Sequence, residues 1–181
     1  MGGISGSPVQ PVQFQKAMVF IDGTNLIYRL QDAKLRLNKS LPQIVGEYLG
    51  GRQIVRIYLY TIQEHLDAAK GAHGDQFTAG VRVVLGEGIR TSDGNIREKG
   101  VDALLVADLV YHAAVKNYDY ALLVSADTDF VQALSRVEDF GCRTGVLTIC
   151  TSVPARLREV CDEAYSLSSG SLKNNGQAVP V

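Results

Sequence analysis

Two short stretches of the chain are apolar at every position, MVFI within residues 16–22 and ALLV within residues 120–125. Each runs directly into an acidic turn, Asp22-Gly23-Thr24-Asn25 in one case and Ala126-Asp127-Thr128-Asp129 in the other. A strand with no polar face must be covered on both sides, which is the condition of a parallel sheet sandwiched between helices. The rest of the chain supplies the alternation such a sheet needs. Helical spacing predicts helices over 24–35, 41–49, 63–77, 129–140 and 153–161, and β-branched or aromatic runs predict strands over 52–60, 81–85, 143–149 and 164–167. Residues 86–100 read as a Gly-rich polar loop. Residues 101–116 are apolar almost all round, so they are expected as a helix buried against the sheet. The expected fold is a three-layer α/β/α domain with a mainly parallel central sheet over residues 16–167. Mobile tails are expected at 1–15 and 168–181, which hold few large apolar side chains.

Eighteen Lys and Arg against 19 Asp and Glu, in 181 residues, give a net charge of −1 and exclude a general polycation that coats nucleic acid. The three cysteines form no CxxC pair, which speaks against a disulfide framework or a Cys-rich zinc site. No apolar run approaches the length that spans a bilayer, and the Gly/Ser/Pro-rich start lacks the apolar core of a signal peptide. No membrane partner and a cytoplasmic location are therefore the expectations.

In an open parallel sheet, ligands bind beyond the carboxyl ends of the strands. The sequence delivers Asp22 and Asp127 there, and Asp102 in the first turn of the helix after the Gly-rich segment. Gathered carboxylates repel one another, and a divalent cation removes that cost. Oxygen ligands without His or Cys favour Mg²⁺ or Mn²⁺ over zinc. The plain alternative is helix capping, which Asp102 or Asp129 could serve, whereas Asp22 is freer because Thr24 could cap its helix. Asn25 is placed to orient Asp22 or a water. Asp108, six residues beyond Asp102 and about 240° round a helix, cannot share its face but needs a partner or a metal.

Other chemistries fit less well. VFIDGTNL is close to the start of a haloacid-dehalogenase-type phosphatase, but Phe20 stands where the nucleophilic Asp would be. Gly86-Glu87-Gly88-Ile89-Arg90-Thr91 lacks the third glycine of a dinucleotide loop. His65, His73 and His112 fall on helices or helix ends away from the strand-end acids. Phosphodiester hydrolysis, leaving 5′-phosphate and 3′-hydroxyl ends, is what a carboxylate–Mg²⁺ or –Mn²⁺ centre performs well.

VFIDGTNL, EKGVDALLVADLVYHAA, and YDYALLVSADTDFVQAL followed by GCRTGVL together resemble the NYN domain, and within it the LabA-like group of the PIN-like nuclease superfamily. The resemblance implies a PIN-like fold, an acidic Mg²⁺ or Mn²⁺ centre and action on RNA. It marks Asp22, Asn25, Asp102 and Asp127 as the catalytic positions. Asp129 and Asp108 join Asp22, Asp102 and Asp127 as metal ligands. Ala126 stands where the family has Gly, and Thr128 where it has Ser. Among the basic residues near these motifs, Lys99, Arg97, Arg90 and Arg29 are expected to hold RNA phosphates. Thr24, Ser125 and Thr128 complete the expected substrate-binding set. Single-stranded RNA suits an acidic crevice that must admit a kinked backbone. A non-catalytic RNA- or protein-binding regulatory module on the same fold is the rival reading, and self-association stays open.

Overall fold

The structure, a computed structural model, describes residues 15–181. The expected tail over residues 1–15 therefore lies, apart from Gln15, outside the described residues. In chain order the elements begin β1 (Lys16–Asp22), α1 (Gly23–Asp32), β2 (Leu35–Leu37), α2 (Leu41–Gly46), β3 (Gln53–Thr61), α3 (Gln63–His73) and β4 (Arg82–Leu85). They continue with β5 (Glu87–Arg90), β6 (Ile96–Lys99), α4 (Val101–Ala114), β7 (Tyr120–Val124), α5 (Val131–Asp139) and β8 (Arg143–Ile149). The last are α6 (Ala155–Arg158), β9 (Glu163–Leu167), α7 (Ser169–Asn174) and β10 (Ala178–Pro180).

Six strands form one parallel sheet in the order β4-β3-β1-β7-β8-β9. The period of two along β1 divides its apolar run between two cores. Val19 and Ile21 pack with Leu26, Ile27 and Leu30 of α1 and Leu66 of α3. Met18 and Phe20 pack with Leu105 and Leu109 of α4 and Leu134 and Val137 of α5. This is the expected three-layer α/β/α arrangement. The sheet reverses its winding between β1 and β7, whose register pairs Ile21 with Val124, so Asp22 and Ser125 emerge side by side at a switch point.

Several elements depart from the sequence expectation. The first helix stops at Asp32, because Lys34 takes a left-handed φ of 49° and Leu35–Leu37 turns into a strand. Residues 86–100 are not a loop: β5 and β6 form an antiparallel hairpin, closed by a turn in which the Thr91 N–H donates to the Asn95 carbonyl and Gly94 has φ 83°. The Asp93-Gly94 pair is a strong turn signal, obscured by the polarity around it. Helix α4 buries only the stripe Val101, Leu105, Leu109 and Ala113, leaving Leu104, Tyr111 and Val115 exposed. It lies in an outer layer with a core on one side only, so an apolar composition all round did not make it buried. The helix expected over 153–161 covers only Ala155–Arg158.

The expected C-terminal tail is likewise ordered. Ser168 caps α7 by accepting the Ser171 N–H at 3.0 Å, Leu172 and Gln177 are fully buried, and β10 pairs antiparallel with β2. One leucine and one short strand anchor a segment whose overall polarity hides them.

At the amino end of the sheet, Glu163 of β9 accepts from Arg52 at 2.6 and 3.2 Å, from the Tyr120 hydroxyl at 2.9 Å and from the Tyr165 hydroxyl at 2.9 Å. The Arg52 guanidinium also lies 3.8 Å over the Tyr120 ring. Gly145 of β8 makes room for this group, since a Cβ there would fall inside the Tyr120 hydroxyl. Gly145→Ala is expected to cost about 1–3 kcal/mol in urea unfolding as an overpacked site, and Tyr120→Phe in the same chain should recover part of it.

Candidate active site

The site is built on the turn after β1. Asp22 is 5% exposed and is the N-cap of α1, its Oδ1 accepting the Asn25 backbone N–H at 3.0 Å. Its Oδ2 accepts from the Ser125 hydroxyl at 2.8 Å. Ser125 in turn accepts the Asp127 N–H at 3.0 Å, and the Asn25 side-chain oxygen accepts the Ala126 N–H at 3.3 Å. The turns after β1 and β7 are thus tied together by side chains rather than by the sheet ladder. Asp127 caps the turn that leads into α5, its Oδ1 accepting the Asp129 N–H at 2.8 Å. The capping roles weighed for Asp102 and Asp129 fall instead to Asp22 and Asp127.

Burial pushes Asp22 up to about 6; the bonds from Asn25 and Ser125 oppose the shift, and the charges of Asp102 and Glu98 add to it. Asp102 is also raised, first by burial and then by Glu98, Asp127 and Asp129. The acids of three separate sequence segments therefore feel one another, and among the described residues no Lys or Arg pairs with Asp22, Asp102 or Asp127. No three metal-ligating side chains among the described residues converge tightly enough to close round an ion as they stand. The donor set itself fits a hard cation: carboxylate oxygens only, with no thiol or imidazole bonded to Asp22, Asp102 or Asp127.

Asp108 is joined to a different partner. The Tyr60 hydroxyl donates to its Oδ2 at 2.9 Å, and no hydrogen bond links it to the other acids. Two expected substrate contacts are also taken up within the protein. Ser125 is 2% exposed and committed to Asp22, while the Thr24 hydroxyl donates to Glu98 at 2.6 Å. Thr128 is half-buried in the turn after β7. Arg90, Arg97 and Lys99 are exposed on the hairpin, with no ion-pair partner among the described residues. Arg29 lies near Cys150, just beyond β8.

Two residues enter the site unannounced. Glu98 accepts the Thr24 hydroxyl, and His65, expected away from the acids, stands 3.3 Å from the Thr24 hydroxyl and 3.7 Å from Glu98. The alternation of Ile96, Arg97, Glu98 and Lys99, which turns Ile96 and Glu98 inward, was the available signal, but it has meaning only once the segment is known to be a strand.

The NYN domain family matches residues 16–168. No curated protein matches the chain. Among solved structures, a protein of unknown function from Vibrio parahaemolyticus RIMD 2210633 is 20% identical, with 89% of this chain and 98% of that chain covered and a TM-score of 0.66. The likeness is one of fold. An oxidoreductase candidate from Parabacteroides merdae ATCC 43184, 15% identical over 84% of this chain and 31% of that one, has a TM-score of 0.35 and carries no argument.

The raised Asp22 has a consequence for stability. Its ordinary value is 3.8, so between that pH and about 6 the folded chain holds a proton that the unfolded chain has lost. Stability therefore falls as pH rises through 6, and the full cost, at most about 3 kcal/mol, is present above it. In EDTA at pH 8, Asp22→Asn is expected to raise unfolding free energy by roughly 1–3 kcal/mol. Urea titrations at descending pH should show the advantage shrinking below 6 and gone near 4; an unchanged advantage would contradict the assignment.

Proposed function

Because the chain belongs to the NYN domain family, a branch with the PIN-like nuclease fold, we propose that it is a metal-dependent ribonuclease working through Asp22, Asp102 and Asp127. The observation that carries this reading is the mutual charge of acids from three sequence segments at the sheet's switch point, one buried, with no Lys or Arg paired to them among the described residues. NYN domains generally bind nucleic acid and use divalent metals. Asp22, Asp102 and Asp127 would hold Mg²⁺ or Mn²⁺, which when bound would supply positive charge for activating water and stabilising a leaving oxygen.

The chain's own residues supply position. Ser125 and the Asn25 backbone hold both oxygens of Asp22, fixing the plane of its carboxylate. Asn25 holds the Ala126 backbone and so sets the turn that presents Asp127. Asp129 adds negative charge beside Asp102, and Asp108 accepts the Tyr60 hydroxyl. Arg90, Arg97 and Lys99 flank the approach to Asp102 and would hold backbone phosphates on either side of the scissile bond, and an unpaired strand has the freedom to bend between them.

A labelled single-stranded RNA pool with Mn²⁺ or Mg²⁺ tests the proposal. Cleavage leaving 5′-phosphates is expected, abolished by EDTA and reduced about a thousandfold in the Asp22→Asn, Asp127→Asn double variant, equivalent to several kcal/mol of lost charge stabilisation. RNA binding by the wild type without cleavage would instead identify a non-catalytic binding module. The phosphate contacts have a separate readout. Replacing Arg97 and Lys99 by Ala should weaken RNA binding and flatten the dependence of log K on log salt by about 0.7 per lost contact; an unchanged slope would remove these two residues from the interface.

A further inference from the structure

The β5–β6 hairpin is seated on the site through one inward face. Gly88 and Glu98 are direct cross-strand partners on that face. Gly88 lies against α3 so closely that a Cβ there would stand 2.6 Å from a Glu64 carboxylate oxygen. Beside it, Thr24 donates its single hydroxyl proton to Glu98 Oε2. The 3.3 Å contact between His65 Nδ1 and that same hydroxyl oxygen then requires the imidazole N–H to be the donor. A directed chain results, from His65 to Thr24 to Glu98. The other carboxylate oxygen, Oε1, accepts no hydrogen bond among the described residues. Glu98 also borders an open cleft of about 540 Å³ along the hairpin, together with Ile89, Thr91, Arg97, Lys99 and Gly100.

We propose that Glu98 is a further carboxylate of the acidic centre, brought to it by the hairpin and aimed by Thr24 and His65. The proposal rests on the reading of the centre as a divalent-metal nuclease site. Three features support it. Thr24 belongs to the same turn as Asp22 and Asn25, so the bond from Thr24 fixes Glu98 to the motif that carries the first acid. One carboxylate oxygen is held and the other is free, as a group positioned for a cation requires. The charge of Glu98 is felt by both Asp22 and Asp102, which come from separate segments of the sequence. Thr24 and His65 are positioning residues, acting only through Glu98. Because β6 presents Arg97 and Lys99 on its opposite side, one short strand joins the metal-facing carboxylate to the outward cations.

Titration calorimetry with MnCl₂ on the wild type, Asp22→Asn, Glu98→Gln and Thr24→Val tests this, with thermal unfolding in EDTA as a control for folding. Glu98→Gln is expected to weaken Mn²⁺ binding at least about tenfold, and Thr24→Val, which leaves every carboxylate in place, about tenfold, as loss of an outer-sphere partner does. The glutamine amide oxygen still accepts from Thr24, so a Glu98 that only clamps the hairpin would leave Mn²⁺ affinity at the wild-type value, and that result would overturn the proposal. If Glu98→Gln unfolds in EDTA, Thr24→Val decides: unchanged affinity there also overturns it. Binding by the wild type that is lost in Asp22→Asn yet untouched in Glu98→Gln and Thr24→Val would remove Glu98 while sparing the metal centre. A wild type that binds no Mn²⁺ would bring down both.

Discussion

A carboxylate buried between two parallel strands is the constraint from which the remaining site geometry follows. Asp22 stands where β1 leaves the sheet, and its neighbour across the switch point is Ser125. Both oxygens are bonded, so the group has little rotational freedom. The same bonds draw the turns after β1 and β7 together, and Asn25 and Asp127 take their places from that closure. Burial raises the free energy of the ionised form, and two hydrogen bonds only partly offset it. The fold therefore carries an electrostatic cost at the position where sheet topology leaves a crevice. The opposite end of the sheet is arranged differently: Arg52, Glu163, Tyr120 and Tyr165 form a fully matched group that fastens β3, β7 and β9. One end of the same strands holds matched charge and the other unmatched charge.

What could be read from the sequence was set by period and by punctuation. The unbroken runs in β1 and β7 define strands covered on both faces, and the acidic turns after them bring Asp22 and Asp127 to the carboxyl end of the sheet. Those features hold in the structure because they depend on local pattern alone. The hairpin was hidden because glycines and charges in residues 86–100 read as loop, and with it was hidden the inward face of Glu98. His65 was out of reach for a related reason: α3 sits against α1 by tertiary packing, which no local spacing reports. For α4 the composition misled, since about four nearly apolar turns of sequence pattern cannot say which stripe meets a core and which meets solvent. Asp108 shows the same limit at the level of one residue. Its need for a partner was legible, but that the partner is Tyr60 depends on how α4 lies across β3.

Capping and catalysis were treated in the sequence as competing explanations for an Asp beyond a strand. In the structure a capping carboxylate keeps acceptor capacity to spare. Asp22 caps α1 with one oxygen and receives Ser125 with the other, and Asp127 caps the next turn while its charge acts on Asp102. A cap bond uses one lone pair of a carboxylate that has four acceptor sites, so the fixed orientation it imposes leaves capacity for a further ligand.

The pairing of β2 with β10 has a consequence for how the protein comes into being. Leu35 and Leu37 lie in the core alongside Leu172 and Ala178, yet β2 has no strand partner until residues 178–180 arrive, about 140 residues later. At a translation rate of roughly 5–20 residues per second, that interval is on the order of ten seconds. During it, a nascent chain with β1, α1 and α2 already made keeps one edge of its core unsealed. Synthesis order thus leaves the β2 edge without its strand partner until residues 178–180 are made, so this pair closes after every strand of the main sheet has been synthesised.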